Sequence, residues 1–79
     1  MRVMEEKHKE RYKQLGLTIA YYRKLRGLNQ ENLAEMVGIS RTHISNIEAP
    51  KMDKSLSLDV LFDIADALQI SIDKLFEMR

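Results

Sequence analysis

Seventy-nine residues make one small domain, near the size at which a single core is only marginally sufficient. There is no cysteine, so neither a disulfide nor a thiolate metal site can support it, and the core has to come from packed helices or from a partner subunit. The formal charge is only +1, but Met1 to Gln30 holds eight Lys or Arg against three Glu and Ser55 to Arg79 holds two against five, so a basic and an acidic half are expected to face different things.

Residues 1–10 contain no apolar run and read as an N-terminal extension, neither signal peptide nor membrane span. The domain proper is expected over 11–79. Arg11 to Arg26 has the spacing of a first helix: Tyr12, Leu15, Ile19 and Tyr22 fall on one stripe within about 80° of arc. Leu17, Tyr21 and Leu25 form a second apolar line at four-residue steps along the far side. Two such lines mean that the last helix and the extension cover both sides, or that one side is exposed and used for association. Gly27 ends the helix and Leu28 turns inward.

Two short helices joined by a tight turn follow. Asn29 is placed to cap Gln30 to Val37, in which Leu33, Ala34 and Val37 share a face. Gly38 ends that helix, because a residue without Cβ enters the left-handed region at no steric cost. Ser40 is placed to cap Arg41 to Ala49. With Arg41 at about 0°, Ile44 and Ile47 fall at about 300° and 240°, and Thr42, Ser45 and Asn46 lie opposite, at about 100°, 40° and 140°. His43 falls between the two faces, at about 200°. An ordinary solvated face would carry Glu, Lys, Gln or Arg, which form helices better. Short uncharged groups offer donors and acceptors at close range, which suits the floor of a DNA major groove. The plainer alternative is an amphipathic helix with an undistinguished outer face.

Ala49 precedes Pro50 and is biased out of the helical region, which starts the loop through Lys54. Ser57 is placed to cap a fourth helix, Leu58 to Leu68, with Leu58, Leu61, Ile64, Ala65 and Leu68 inward. Ser71 is placed to cap a fifth, Ile72 to about Met78, with an acid in its first turn. Without strand-like alternation or internal repeat, the expected fold is all-α, a compact domain of five helices.

The stretch Asn29 to Glu48 resembles the helix-turn-helix of the phage repressor and Cro-like family, the xenobiotic-response-element type with a lambda-repressor-like fold. Gly27-Leu28-Asn29-Gln30, Leu33-Ala34, Val37-Gly38-Ile39-Ser40, Ile44-Ser45 and Ile47-Glu48 carry the likeness, which covers roughly Leu15 to Glu77. It implies that Arg41 to Ala49 enters the major groove, with Arg41, Thr42, Ser45 and Asn46 toward base edges and His43 at the margin. It implies that Gln30 meets a phosphate and braces the recognition helix, and that Glu48 pairs with Arg23 as an internal tie. The chain departs from the family at Ala49-Pro50, since Pro50 has no N–H for a phosphate; Lys51 and Lys54 could supply charge instead. Residues 1–10 could then act as a basic arm on the DNA backbone.

Catalysis is not expected. His8 and His43 lie far apart without a carboxylate at useful spacing, no Gly-rich phosphate loop occurs, and no cofactor, metal or small-molecule ligand is called for. The favoured function is a cytoplasmic, sequence-specific transcriptional regulator of double-stranded DNA, a repressor in preference to an activator. A toxin-neutralising antitoxin and a protein-binding module on the same fold are the alternatives. A stand-alone regulator is preferred because no further domain is available to sense a ligand or hold a toxin. One recognition helix reads too few base pairs to single out a site, so a homodimer is expected. Its interface should use Ile70, Ile72, Leu75, Phe76 and Met78, with the line Leu17, Tyr21 and Leu25 as a second contributor. The acidic C-terminal half would point away from DNA.

Overall fold

Asn29, Ser40 and Ser57 each stand in extended backbone ahead of a helix, and each side chain accepts a hydrogen bond from an amide of the first turn. At Asn29 the cap is reciprocal: the Asn32 amide donates to Asn29 at 2.7 Å, and the Asn29 amide donates to the Asn32 side chain at 3.2 Å. The computed structural model describes residues 6–50 and 56–77. Its five helices are α1 (Glu6–Leu25), α2 (Gln30–Val37), α3 (Arg41–Glu48), α4 (Leu58–Leu68) and α5 (Ile72–Leu75), with no strand among the described residues. The chain is all-α, as its apolar spacing implies.

The ends of α1, α2 and α4 share one device. Gly27, Gly38 and Gln69 take φ of 73°, 84° and 60°. The following amides, of Leu28, Ile39 and Ile70, then donate back to the carbonyls of Arg23, Ala34 and Ala65. Gln69 does this without a glycine's freedom. Its carbonyl accepts from Arg26 Nη2 at 3.0 Å, and the Leu68 carbonyl accepts from Arg26 Nε at 2.6 Å, so a cation from the end of α1 closes the end of α4.

Leu15, Ile19, Leu33, Ala34, Ile44, Leu61, Ile64, Ala65, Leu68 and Leu75 form one buried cluster to which all five helices contribute. The two apolar lines of α1 have different fates. Leu15 and Ile19 are buried, with Tyr12 and Tyr22 half-buried beside them, whereas Leu17, Tyr21 and Leu25 are 54%, 60% and 65% exposed.

Several expectations need adjustment, the first being Leu58, expected on the inward face of α4 but 61% exposed at the start of that helix. Helix α1 already includes Glu6, five residues before the apolar spacing predicts, because residues of good helix propensity can extend a helix without an apolar stripe. The last helix is a single turn that stops at Leu75, with Phe76 as its C-cap. Ser71 stands at its N-cap in extended backbone, as expected, but makes no side-chain cap hydrogen bond; the Ser71 hydroxyl, and then the backbone amide of Asp73, hold the Asp73 carboxyl below its ordinary range. Leu75 is fully buried in the monomer core, so its assignment to a dimer interface is corrected: a side chain that closes its own core has no surface left for a partner. Ile70 and Ile72 are half-buried against the same core, and Phe76 is 47% exposed. Expectations for residues 1–5, Lys51, Lys54 and Met78 lie outside the described residues.

Candidate nucleic-acid interface

The helix α3 has one apolar edge and one polar edge, and the apolar edge decides what the other can do. Ile44 is fully buried and Ile47 is half-buried against the core, which turns the opposite edge outward. Arg41, Thr42, His43 and Asn46 are exposed, and Ser45 is half-buried beside them. The Ser40 hydroxyl accepts from the His43 amide at 3.0 Å and so fixes the N-terminal turn that presents Arg41 and Thr42. All five candidate contact residues on α3 therefore lie along its free side.

The other end of α3 is tied down by a buried charge. Glu48 is 8% exposed and Arg23 of α1 is 7% exposed. Arg23 Nε donates to Glu48 Oε2 at 2.6 Å and Nη2 to Oε1 at 3.0 Å, a two-pronged pair that specifies orientation as well as distance. The remaining prong, Nη1, donates to the Leu28 carbonyl at 2.8 Å. Gln30, the first residue of α2, donates through Nε2 to Glu48 Oε1 at 3.0 Å. Glu48 thus gathers donors from α1 and α2, and among the described residues no buried side-chain nitrogen or oxygen lacks a partner. A buried pair with all its hydrogen bonds made is tolerable; one left half-made is not.

Gln30 is the hinge of the arrangement. One of its two amide hydrogens is taken by Glu48, and a side-chain amide has a second to offer. Arg23, Asn29, Gln30, Glu31 and Arg41 line one open polar cleft between the starts of α2 and α3. Arg41 therefore borders the same space as the N-terminal turn of α2, where a cation and helix amides favour an anion and the Glu31 carboxylate opposes one.

One structural participant carries no mark in the sequence reading. Gly16, in the middle of α1, faces the last carbonyls of α3 at a distance no side chain would permit. The signal available was a glycine inside a helical pattern, which weakens a helix and so usually has a packing reason. The expected interface residues do not join this group: Ile70, Ile72 and Phe76 stand at the α5 end of the domain. Among the described residues no cluster of His, Cys, Asp or Glu could hold a metal ion, and no helix is long and apolar enough to cross a membrane.

A family model described as helix-turn-helix matches residues 19–75. The chain is 36% identical over 61 residues to the control protein C.SmaI of Serratia marcescens, covering 77% of this chain and 70% of that protein. It is 43% identical over 58 residues to an uncharacterized HTH-type transcriptional regulator, MJ0272, of Methanocaldococcus jannaschii, covering 73% and 85%. Among solved structures, the restriction-modification controller protein C.AhdI of Aeromonas hydrophila superposes with a TM-score of 0.79 at 28% identity, over 85% of this chain and 98% of that one. SinR, a master regulator for biofilm formation solved in complex with DNA, superposes with a TM-score of 0.73 at 28% identity, over 80% and 98%.

Proposed function

We propose, since this chain belongs to the helix-turn-helix family of DNA-binding transcriptional regulators, that it is a sequence-specific, cytoplasmic regulator of the repressor kind, placing α3 in the major groove of double-stranded DNA as a homodimer. The observation that carries the reading is the free side of α3. Arg41, Thr42, Ser45 and Asn46 form an edge of donors and acceptors with no apolar anchor, while Ile44 and Glu48 hold the helix from behind. A protein-binding face would want exposed aromatic or aliphatic anchors there. In this reading Arg41 reaches a guanine or a phosphate, Thr42, Ser45 and Asn46 meet base edges, and His43 sits at the rim of the groove. Gln30 donates its second amide hydrogen to a phosphate. Lys51 supplies, by its charge, the phosphate contact that Pro50 cannot make through an N–H.

The homodimer draws support from apolar surface that the monomer leaves uncovered. Leu17, Tyr21 and Leu25 are each more than half exposed. Leu17 and Tyr21 line one cleft with Lys74 and Glu77, so the outer line of α1 runs up to the α5 end. Ile70, Ile72 and Phe76 complete the proposed patch. Two recognition helices about 34–36 Å apart would then read successive turns of one DNA face.

The test is selection of bound sequences from a random DNA pool. The expected product is a two-fold symmetric site with half-site centres about 10–10.5 base pairs apart. Recovery of unenriched sequences would overturn DNA recognition. Sedimentation over a wide concentration range tests the dimer separately: a species that stays at 9.3 kDa well above micromolar concentration and binds single half-sites without cooperativity would end it.

A further inference from the structure

A glycine in a helix interior weakens the helix relative to alanine, so Gly16 needs a compensating reason. It is not backbone conformation. Gly27 and Gly38 have positive φ and open space where a Cβ would go, whereas Gly16 sits inside α1 with no positive φ and no space at all. A Cβ there would lie 2.5 Å from the Glu48 carbonyl oxygen, 2.6 Å from the Ile47 carbonyl oxygen and 2.8 Å from the Glu48 carbonyl carbon. All three are backbone atoms of the last turn of α3, and none can swing aside as a side-chain tip can.

We infer that Gly16 is a positioning residue for DNA recognition: it lets α1 approach the C-terminal end of α3 and thereby sets how that end is presented to base edges. The inference rests on the DNA-reading role of α3 proposed above. Gly16 and Arg23 lie two turns apart on α1 and act on the same end of α3, one on its backbone and the other on the Glu48 side chain. Ordinary contact begins at 3.4 Å, so a methyl at position 16 would force the backbones apart by roughly 0.9 Å. Relief by moving α1 alone would lift Leu15 and Ile19 out of the core, and both are buried. Relief by moving α3 pivots it about its other end, where Ser40 caps the first turn and Ile44 is fully buried. Over an eight-residue helix about 12 Å long this is a tilt of roughly 5°. Asn46 sits at the displaced end and Arg41 at the pinned end. The consequence is a graded one, with base preference lost at positions read by Ser45 and Asn46 and kept at the position read by Arg41.

The experiment compares the unmodified protein, Gly16→Ala and Ile64→Val, the last being a core change on α4 that lowers stability away from the contact between Gly16 and the α3 carbonyls. Each is used at a temperature where circular dichroism shows it folded. Affinities are measured for the selected site, for single-base variants of it and for unrelated DNA. Gly16→Ala is expected to lose about tenfold in affinity for the selected site, the scale of one mismatched base pair, with affinity for unrelated DNA changed less than about twofold. Its preference should flatten at the base positions of Ser45 and Asn46 only, and Ile64→Val should keep the full preference profile. An unchanged profile in Gly16→Ala, or the same flattening in Ile64→Val, would overturn the inference while leaving the DNA-reading role intact. If Gly16→Ala does not fold even in trimethylamine N-oxide, Gly16 serves folding alone and the inference is likewise overturned. If the unmodified protein shows no preferred site, the functional reading fails and the inference falls with it.

Discussion

The two sides of α1 are built from the same helix and do opposite things. On the inner side Gly16, Ile19 and Arg23 are buried, and Gly16 and Arg23 grip the far end of α3. On the outer side Leu17, Tyr21 and Leu25 are mostly exposed. The inner side spends its polar group on orientation: a buried ion pair adds little net stability compared with an apolar replacement, but it fixes an angle. The outer side offers area without direction, which is what association between copies needs. Placing both on one rigid helix means that whatever docks outside is coupled in geometry to the helix that reads DNA.

That contrast can be broken most forcefully from the inside. Glu48→Ala strands the Arg23 guanidinium and should lower stability by about 3–5 kcal/mol, whereas Glu35→Ala, at an exposed position on α2, should stay within about 0.5 kcal/mol. Thermal unfolding of the two variants side by side is the check, and equal midpoints would refute the distinction. The outer side should behave in reverse. Leu17→Gln and Tyr21→Gln are expected to leave monomer stability within about 0.5 kcal/mol while weakening self-association by about 1.5–3 kcal/mol each, read by sedimentation equilibrium.

Smaller effects sharpen what the inner side positions. Arg41→Ala should weaken DNA binding by about 1–3 kcal/mol and relax preference at one base position; uniform weakening across sequences would make Arg41 a phosphate contact instead. Gln30→Ala should weaken binding by about 0.5–1.5 kcal/mol with the preference profile unchanged, since its partners are a carboxylate and a phosphate rather than a base.

Most of the frame was legible because it is written in local chemistry. Asn29, Ser40 and Ser57 start helices where polar caps should, and Gly27 and Gly38 end them where left-handed residues should. Four of the five residues of the inward stripe of α4, Leu61, Ile64, Ala65 and Leu68, were readable from spacing alone, whereas Leu58, at the first position of the helix, is 61% exposed. What escaped depends on other parts of the chain. Gly16 is a local liability whose justification lies more than thirty positions away, at Glu48. Arg26 looks like one more basic residue at a helix end until the α4 carbonyls reach it. Leu75 and Phe76 are neighbours of similar apolar character, and only packing decides that the first closes the core while the second stays half exposed.

The account stands or falls on which surface meets DNA. Backbone amide shifts of the labelled protein, followed as the duplex recovered from the random pool is added, address it residue by residue. The largest changes are predicted at Arg41, Thr42, Ser45, Asn46 and Gln30, with Leu17, Tyr21 and Leu25 unmoved. Changes concentrated along Leu17, Tyr21 and Leu25, with α3 silent, would contradict it.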